Sequence, residues 1–190
     1  MSSLLDIYKS DLRVENVSSS NFKVDYLKDL LVVLGDINEK AKLLEIAAIN
    51  KSEEQTEEDF EKFKEYVNNL VKLEVMIWGE NGEFLMSENS SVFDNTTLPT
   101  SISKIIFDNS NSFNFTAKRN PRNSFKIVLD FTRKAVFDFS INISAPTENE
   151  SLITVNGENE EWVELSFKKI KSSLSQHKNN RDWLHNLSID

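Results

Sequence analysis

The stretch "SFKIVLDF", Ser124–Phe131, alternates: Phe125, Ile127, Leu129 and Phe131 are apolar, and Ser124, Lys126 and Asp130 between them are polar. Apolar residues two apart share one side of a strand but scatter around a helix. The stretch therefore reads as a strand with one face buried, the pattern of an antiparallel sheet covered on one side. "AVFDFSINIS" (Ala135–Ser144) repeats it with Phe137, Phe139, Ile141 and Ile143.

Working outward, "NPRN" (Asn120–Asn123) turns the chain, and "SKIIFD" (Ser103–Asp108) and "SFNFTA" (Ser112–Ala117) read as further strands. "KLEVMIW" (Lys72–Trp78) and "EFLMS" (Glu83–Ser87) flank an Asn-Gly pair, a strong two-residue hairpin signal. "SLITV" (Ser151–Val155) is the last strand.

Helices precede and follow this run. Val24, Leu27, Leu30, Leu31 and Leu34 fall at helical spacing, with Gly35 placed as a stop. "KLLEIAAIN" (Lys42–Asn50) reads as a strand. Thr56 and Asp59 suit a capping box, followed by an apolar stripe of Phe60, Phe63, Val67 and Leu70. The acids Glu57, Glu58, Asp59 and Glu61 crowd the first turns, where the helix dipole favours them. In the final helix Val163, Phe167, Ile170 and Leu174 form the core stripe, while Trp162 and Leu165 lie on its far flank.

Helices, a run of strands, then a helix define an α+β fold: an antiparallel sheet of five to seven strands, helices packed on one face, and a long C-terminal helix. Residues 1–22 form a marginal N-terminal segment, with "SLLDIYKSDL" as a short helix and "RVENVSSSN" as a loop. Residues 23–178 form one domain, and 179–190 an apolar tail or a junction to further sequence.

Composition narrows the function. The 190 residues include thirteen Phe, four Gly, three Pro and no Cys. Disulfides and cysteine-ligated zinc are excluded, and a cytoplasmic setting fits. No apolar run reaches the length of a membrane span; the best is "LLVVL", Leu30–Leu34. The net charge of −9 is lopsided: residues 1–95 hold 20 acids and 10 bases, residues 96–190 hold 11 and 12. An acidic front half repels phosphate and anionic lipid. Bases gather at Lys118, Arg119 and Arg122 and again at Arg133 and Lys134, at opposite ends of one strand and without an aromatic platform for bases. There is no P-loop, no dinucleotide fingerprint and no nucleophile elbow, and His177 and His185 lack zinc spacing. No catalytic residue, metal or cofactor is assigned.

Two sets of residues stand out. If Ser124–Phe131 and Ala135–Ser144 form a hairpin with Phe131 and Phe137 on one face, a three-residue loop sets Asp130 opposite Asp138, with Cβ atoms about 5 Å apart. Such a pair shares a proton or holds a cation. The other set is apolar: Trp162, Leu165, Trp183, Leu184 and Leu187 suit a protein partner, Trp being a frequent anchor.

The segment "NESLITVNGENEEWVELSFKKIKSSLSQHKNNRDWLH" (Asn149–His185) resembles a pattern in uncharacterised bacterial multidomain proteins: a strand and Gly leading to a Trp-Val helix, then a basic stretch ending in Trp-Leu-His. There the soluble domain precedes a membrane hairpin. The resemblance implies a regulatory or sensing region of a larger, membrane-anchored protein, and carries over no catalytic residue. The leading expectation is thus a non-enzymatic interaction or sensor domain, binding a protein partner, the rest of a longer chain or a second copy. An acidic phage-type inhibitor using the acids at 53–61 and 80–88, and a metal-dependent enzyme using Asp130 and Asp138, are the rivals.

Overall fold

The computed structural model describes residues 10–16, 24–94, 96, 98–132 and 151–175. Six strands form one sheet: β1 (Asp11–Asn16), β2 (Glu74–Gly79), β3 (Phe84–Ser87), β4 (Ile102–Asp108), β5 (Asn123–Asp130) and β6 (Leu152–Gly157). Their spatial order is β1-β6-β5-β4-β2-β3, and every neighbouring pair is antiparallel. The helices are α1 (Val24–Ala47), α2 (Glu57–Leu70), α3 (Asn111–Ala117) and α4 (Glu160–Ser175). The α+β architecture and the C-terminal helix are as expected.

The core lies between the sheet and the α1/α4 layer. Phe125, Ile127 and Leu129 are buried together with Ile105, Phe107, Val75, Ile77, Ile153 and Val155. From the helices come Leu27, Leu30, Leu34, Ile37, Val163, Ile170 and Leu174. The inner strands contribute alternate residues, which is why "SFKIVLDF" is decisive: β5 is an inner strand, flanked by β4 and β6.

Four local readings are corrected. Gly35 does not stop α1, because Ile37, Ala41 and Glu45 continue the buried stripe begun by Leu27, Leu30 and Leu34. Burying these side chains outweighs the roughly 1 kcal/mol that a mid-helix glycine costs. For the same reason Lys42–Ala47 is helix, not strand. "SFNFTA" belongs to α3: Phe113 packs on Val67 and Val71, while Phe115 is exposed. Residues two apart share a face on a strand but point opposite ways on a helix, as the buried Phe113 and exposed Phe115 do; a single Phe-x-Phe is too short a run to establish the strand period. Finally, Asp11–Asn16, inside the stretch read as marginal helix and loop, is strand β1 and pairs with β6 over its whole length. The strand expected over Ala135–Ser144 lies outside the described residues.

Buried polar groups tie the layers. The Asn38 side chain donates to the Val71 carbonyl and accepts from Asn109, whose own amide oxygen accepts from the Phe125 N–H. Glu45 is almost fully buried and accepts from the Arg122 backbone N–H at 2.6 Å and from Arg119 Nη2 at 3.0 Å. These bonds anchor the second half of α1 to the turn before β5. Thr56 caps α2 by accepting from the Asp59 N–H at 3.1 Å.

Candidate interaction surface

Helices cover one face of the sheet, and strand register dictates what the other face presents, since directly paired residues point the same way. Three rows follow. Asn16, Leu152, Val128, Ile106, Met76 and Met86 run across the middle. Val14, Thr154, Lys126, Asp108 and Glu74 lie on one side, and Asp130, Lys104, Trp78 and Phe84 on the other.

This open face is apolar along its centre and at both edges. Leu12 and Val14 are 55% and 54% exposed on β1, and Phe84 and Met86 are 52% and 56% exposed on β3. Met76, Trp78, Ile106, Val128 and Leu152 between them are half-buried. The Trp78 and Phe84 rings touch, 5.0 Å apart and tilted by 50°. The β2–β3 turn holds its shape through Gly82, whose φ of 87° suits glycine, and through Glu83, which accepts from the Asn81 N–H. Backbone N–H groups pull the Glu83 carboxyl below its usual pKa.

A carboxylate pair does occur on this face, but it is Glu74 and Asp108. They are directly opposed across β2 and β4, and both are buried. Glu74 accepts from the Asn111 side chain at 2.6 Å; Asp108 accepts from the Ser110 N–H at 2.7 Å and faces Lys126 at 3.8 Å. The donors Asn111 and Ser110 come from α3 and the turn before it, so the pair fastens α3 to the sheet. Among the described residues no group of three or more His, Asp or Glu could hold a metal ion.

Asp138, the partner expected for Asp130, lies outside the described residues; the described neighbours of β5 are β4 and β6. Asp130 stands opposite Lys104 and accepts from the Thr132 N–H and hydroxyl.

The apolar set divides. Trp162 is a core residue, and its indole N–H donates to the Ile37 carbonyl at 3.4 Å, so it is closed to a partner. Leu165 is 48% exposed. Trp183, Leu184 and Leu187, like His177 and His185, lie outside the described residues. Four of the nine acids expected to serve an inhibitor are in ion pairs within the chain: Glu57 with Lys51, Glu58 with Lys62, Glu61 with Lys64 and Glu88 with Lys72. Lys51 lowers the Glu57 pKa, and Glu88 raises that of Lys72.

One shallow groove of about 360 Å³ lies over Gly35, between Val32, Lys42, Lys72 and Asn89. Its rims are closed by the Lys42–Glu39 and Lys72–Glu88 ion pairs. No described helix is long and apolar enough to cross a membrane.

No protein-family model matches the chain, and no curated protein or solved structure matches it either. The open face is not visible in the sequence because single strands show only their own alternation. Met76, Trp78, Phe84 and Met86 become one surface once β2, β3 and β4 are in register.

Proposed function

We propose that this is a non-enzymatic interaction domain, with a regulatory or sensing role, that binds a protein partner over the open sheet face. The carrying observation is the apolar row Leu152, Val128, Ile106, Met76 and Met86, widened at the β3 edge by Trp78 and Phe84, with Leu12 and Val14 exposed on the opposite edge strand. Contiguous apolar surface of this kind marks an interaction site more often than a plain solvated face. Its central row is apolar, and the flanking rows carry the charges Lys126, Asp108 and Glu74 on one side and Asp130 and Lys104 on the other, in the manner of the polar rim of protein interfaces. The resemblance of residues 149–185 to bacterial multidomain proteins supports placing the domain in a longer, membrane-anchored chain.

The test is a photo-crosslinking amino acid at Met86, with the same probe at Leu43, which is exposed on α1, as the control. A discrete adduct from position 86 alone, lost on Phe84→Lys, is the expected result. Equal labelling from both positions, or none, would reject the reading.

A further inference from the structure

The β1 edge carries a second kind of information, independent of what the open face binds. β1 ends the sheet: β6 lies on one side, and among the described residues no strand stands on the other. The hydrogen-bond alternation fixes which groups it presents outward. The Phe125 carbonyl accepts from the Asn109 N–H beyond β4, and the Arg122 carbonyl accepts from the Glu158 N–H beyond β6. Ser124, Lys126 and Val128 therefore address β6, and Ile153, Val155 and Gly157 address β1. These three bond to Glu15, Arg13 and Asp11, so Leu12, Val14 and Asn16 aim their N–H and C=O groups away from the sheet. The strand "DLRVEN" has no Pro, and the charges that guard its edge, Asp11, Arg13 and Glu15, are of both signs, so they repel some partners and suit others.

The side chains select a partner. We propose that the occupant of this edge is a second copy of the chain, paired antiparallel about a two-fold axis with Val14 facing Val14, so that each Arg13 stands opposite Glu15 of the other copy. The register makes about six main-chain hydrogen bonds, using the outward groups of Leu12, Val14 and Asn16. It places Arg13 and Glu15 at the non-hydrogen-bonded positions, where side chains come closest. Within one copy Arg13 already pairs with Glu164, and Glu15 with Lys171. Joining the copies gives a line of alternating sign on each side of the axis: Glu164, Arg13, then Glu15 and Lys171 of the second copy. A slip of two residues one way sets Arg13 against Arg13 and Asp11 against Glu15; the other way sets Glu15 against Glu15. A larger slip, pairing Asp11 with Arg13, overlaps only Asp11–Arg13 of the strand. The register that is longest and free of like charges is thus the one with Val14 at the axis, an isologous contact that closes on itself.

The experiment is sedimentation velocity on the full chain at physiological salt, across a concentration series, for wild type, Arg13→Glu, Glu15→Arg and an equimolar mixture of the two variants. Wild type is expected to dimerise. In a dimer of Arg13→Glu chains, positions 13 and 15 oppose acid to acid at both pairings; in a dimer of Glu15→Arg chains they oppose base to base. Each variant alone should therefore dimerise at least about tenfold more weakly. The mixture restores two opposite-charge pairs and should recover the wild-type constant as a heterodimer. Local damage at Glu164 or Lys171 cannot produce that recovery, because those contacts lie within one copy. A monomeric wild type at all concentrations, singles that dimerise as wild type does, or a mixture no tighter than the singles would each overturn the proposal.

Discussion

Replacing Gly35 with Ala should stabilise the protein. Gly35 sits in the middle of α1, and a Cβ built there meets nothing within 4 Å. Its backbone is not in the left-handed region, so alanine brings no strain. Glycine in a helix interior is about 0.8–1.0 kcal/mol less favourable than alanine, mainly through the freedom it retains when unfolded. With no clash to subtract, the expected gain is about 0.8–1 kcal/mol. For a chain of this size that corresponds to a rise in Tm of about 2–4 °C. The assay is urea unfolding followed by far-UV circular dichroism. The midpoint should rise with the slope unchanged, since the surface exposed on unfolding stays the same. A fall in stability would refute the reasoning, because it would mean that α1 is not continuous through Gly35. The cost of that glycine also says something about the groove above it: nothing inside the domain needs the missing side chain, so packing does not account for Gly35.

Two further outcomes are expected. Glu45→Ala removes the acceptor for the Arg122 N–H and the partner of Arg119 at a site almost fully buried, and should cost about 2–4 kcal/mol by the same unfolding assay; a loss under about 1 kcal/mol would show that Glu45 is not the anchor of this turn. The buried Tyr26 phenol is raised above its usual pKa of 10.0 by burial, with the contact to Ser173 acting more weakly the other way. A raised folded-state value means that its contribution is complete below about pH 10 and is lost as pH rises through the folded value. Stability should therefore fall on the alkaline side less steeply in Tyr26→Phe than in wild type; identical slopes would count against it.

What can be read from the sequence depends on how far apart the deciding residues lie. β5, α2 and α4 carry their own patterns: Phe125, Ile127 and Leu129 on one face, the Thr56–Asp59 cap, and Val163, Ile170 and Leu174 on one stripe. The length of α1 is not legible, because its stripe is interrupted by a residue with strong stop character, and only the packing of Ile37 and Ala41 overrules it. β1 is not legible either: Leu12 and Val14 on this six-residue edge strand are more than half exposed, so the strand looks like a solvated segment. Its pairing with Leu152–Gly157 joins residues more than 130 apart, and no local pattern reports that.

The carboxylates show the same limit at the level of a site. Two acids on one strand face are brought together by the parity of their pairing, and that rule holds here: Glu74 and Asp108 are opposed because their positions fall in register across β2 and β4. Applying it to Asp130 and Asp138 requires β5 to have a hairpin neighbour, and its described neighbours are β4 and a strand that arrives from later in the chain. Parity is a local property and can be computed from spacing; adjacency belongs to the whole sheet. The β1 pairing proposed above relies on parity and alternation within strands whose neighbours are already placed, and it adds one new adjacency. The mixed-variant experiment tests that adjacency directly, because restored association between Arg13→Glu and Glu15→Arg chains requires those two positions to face each other across two copies.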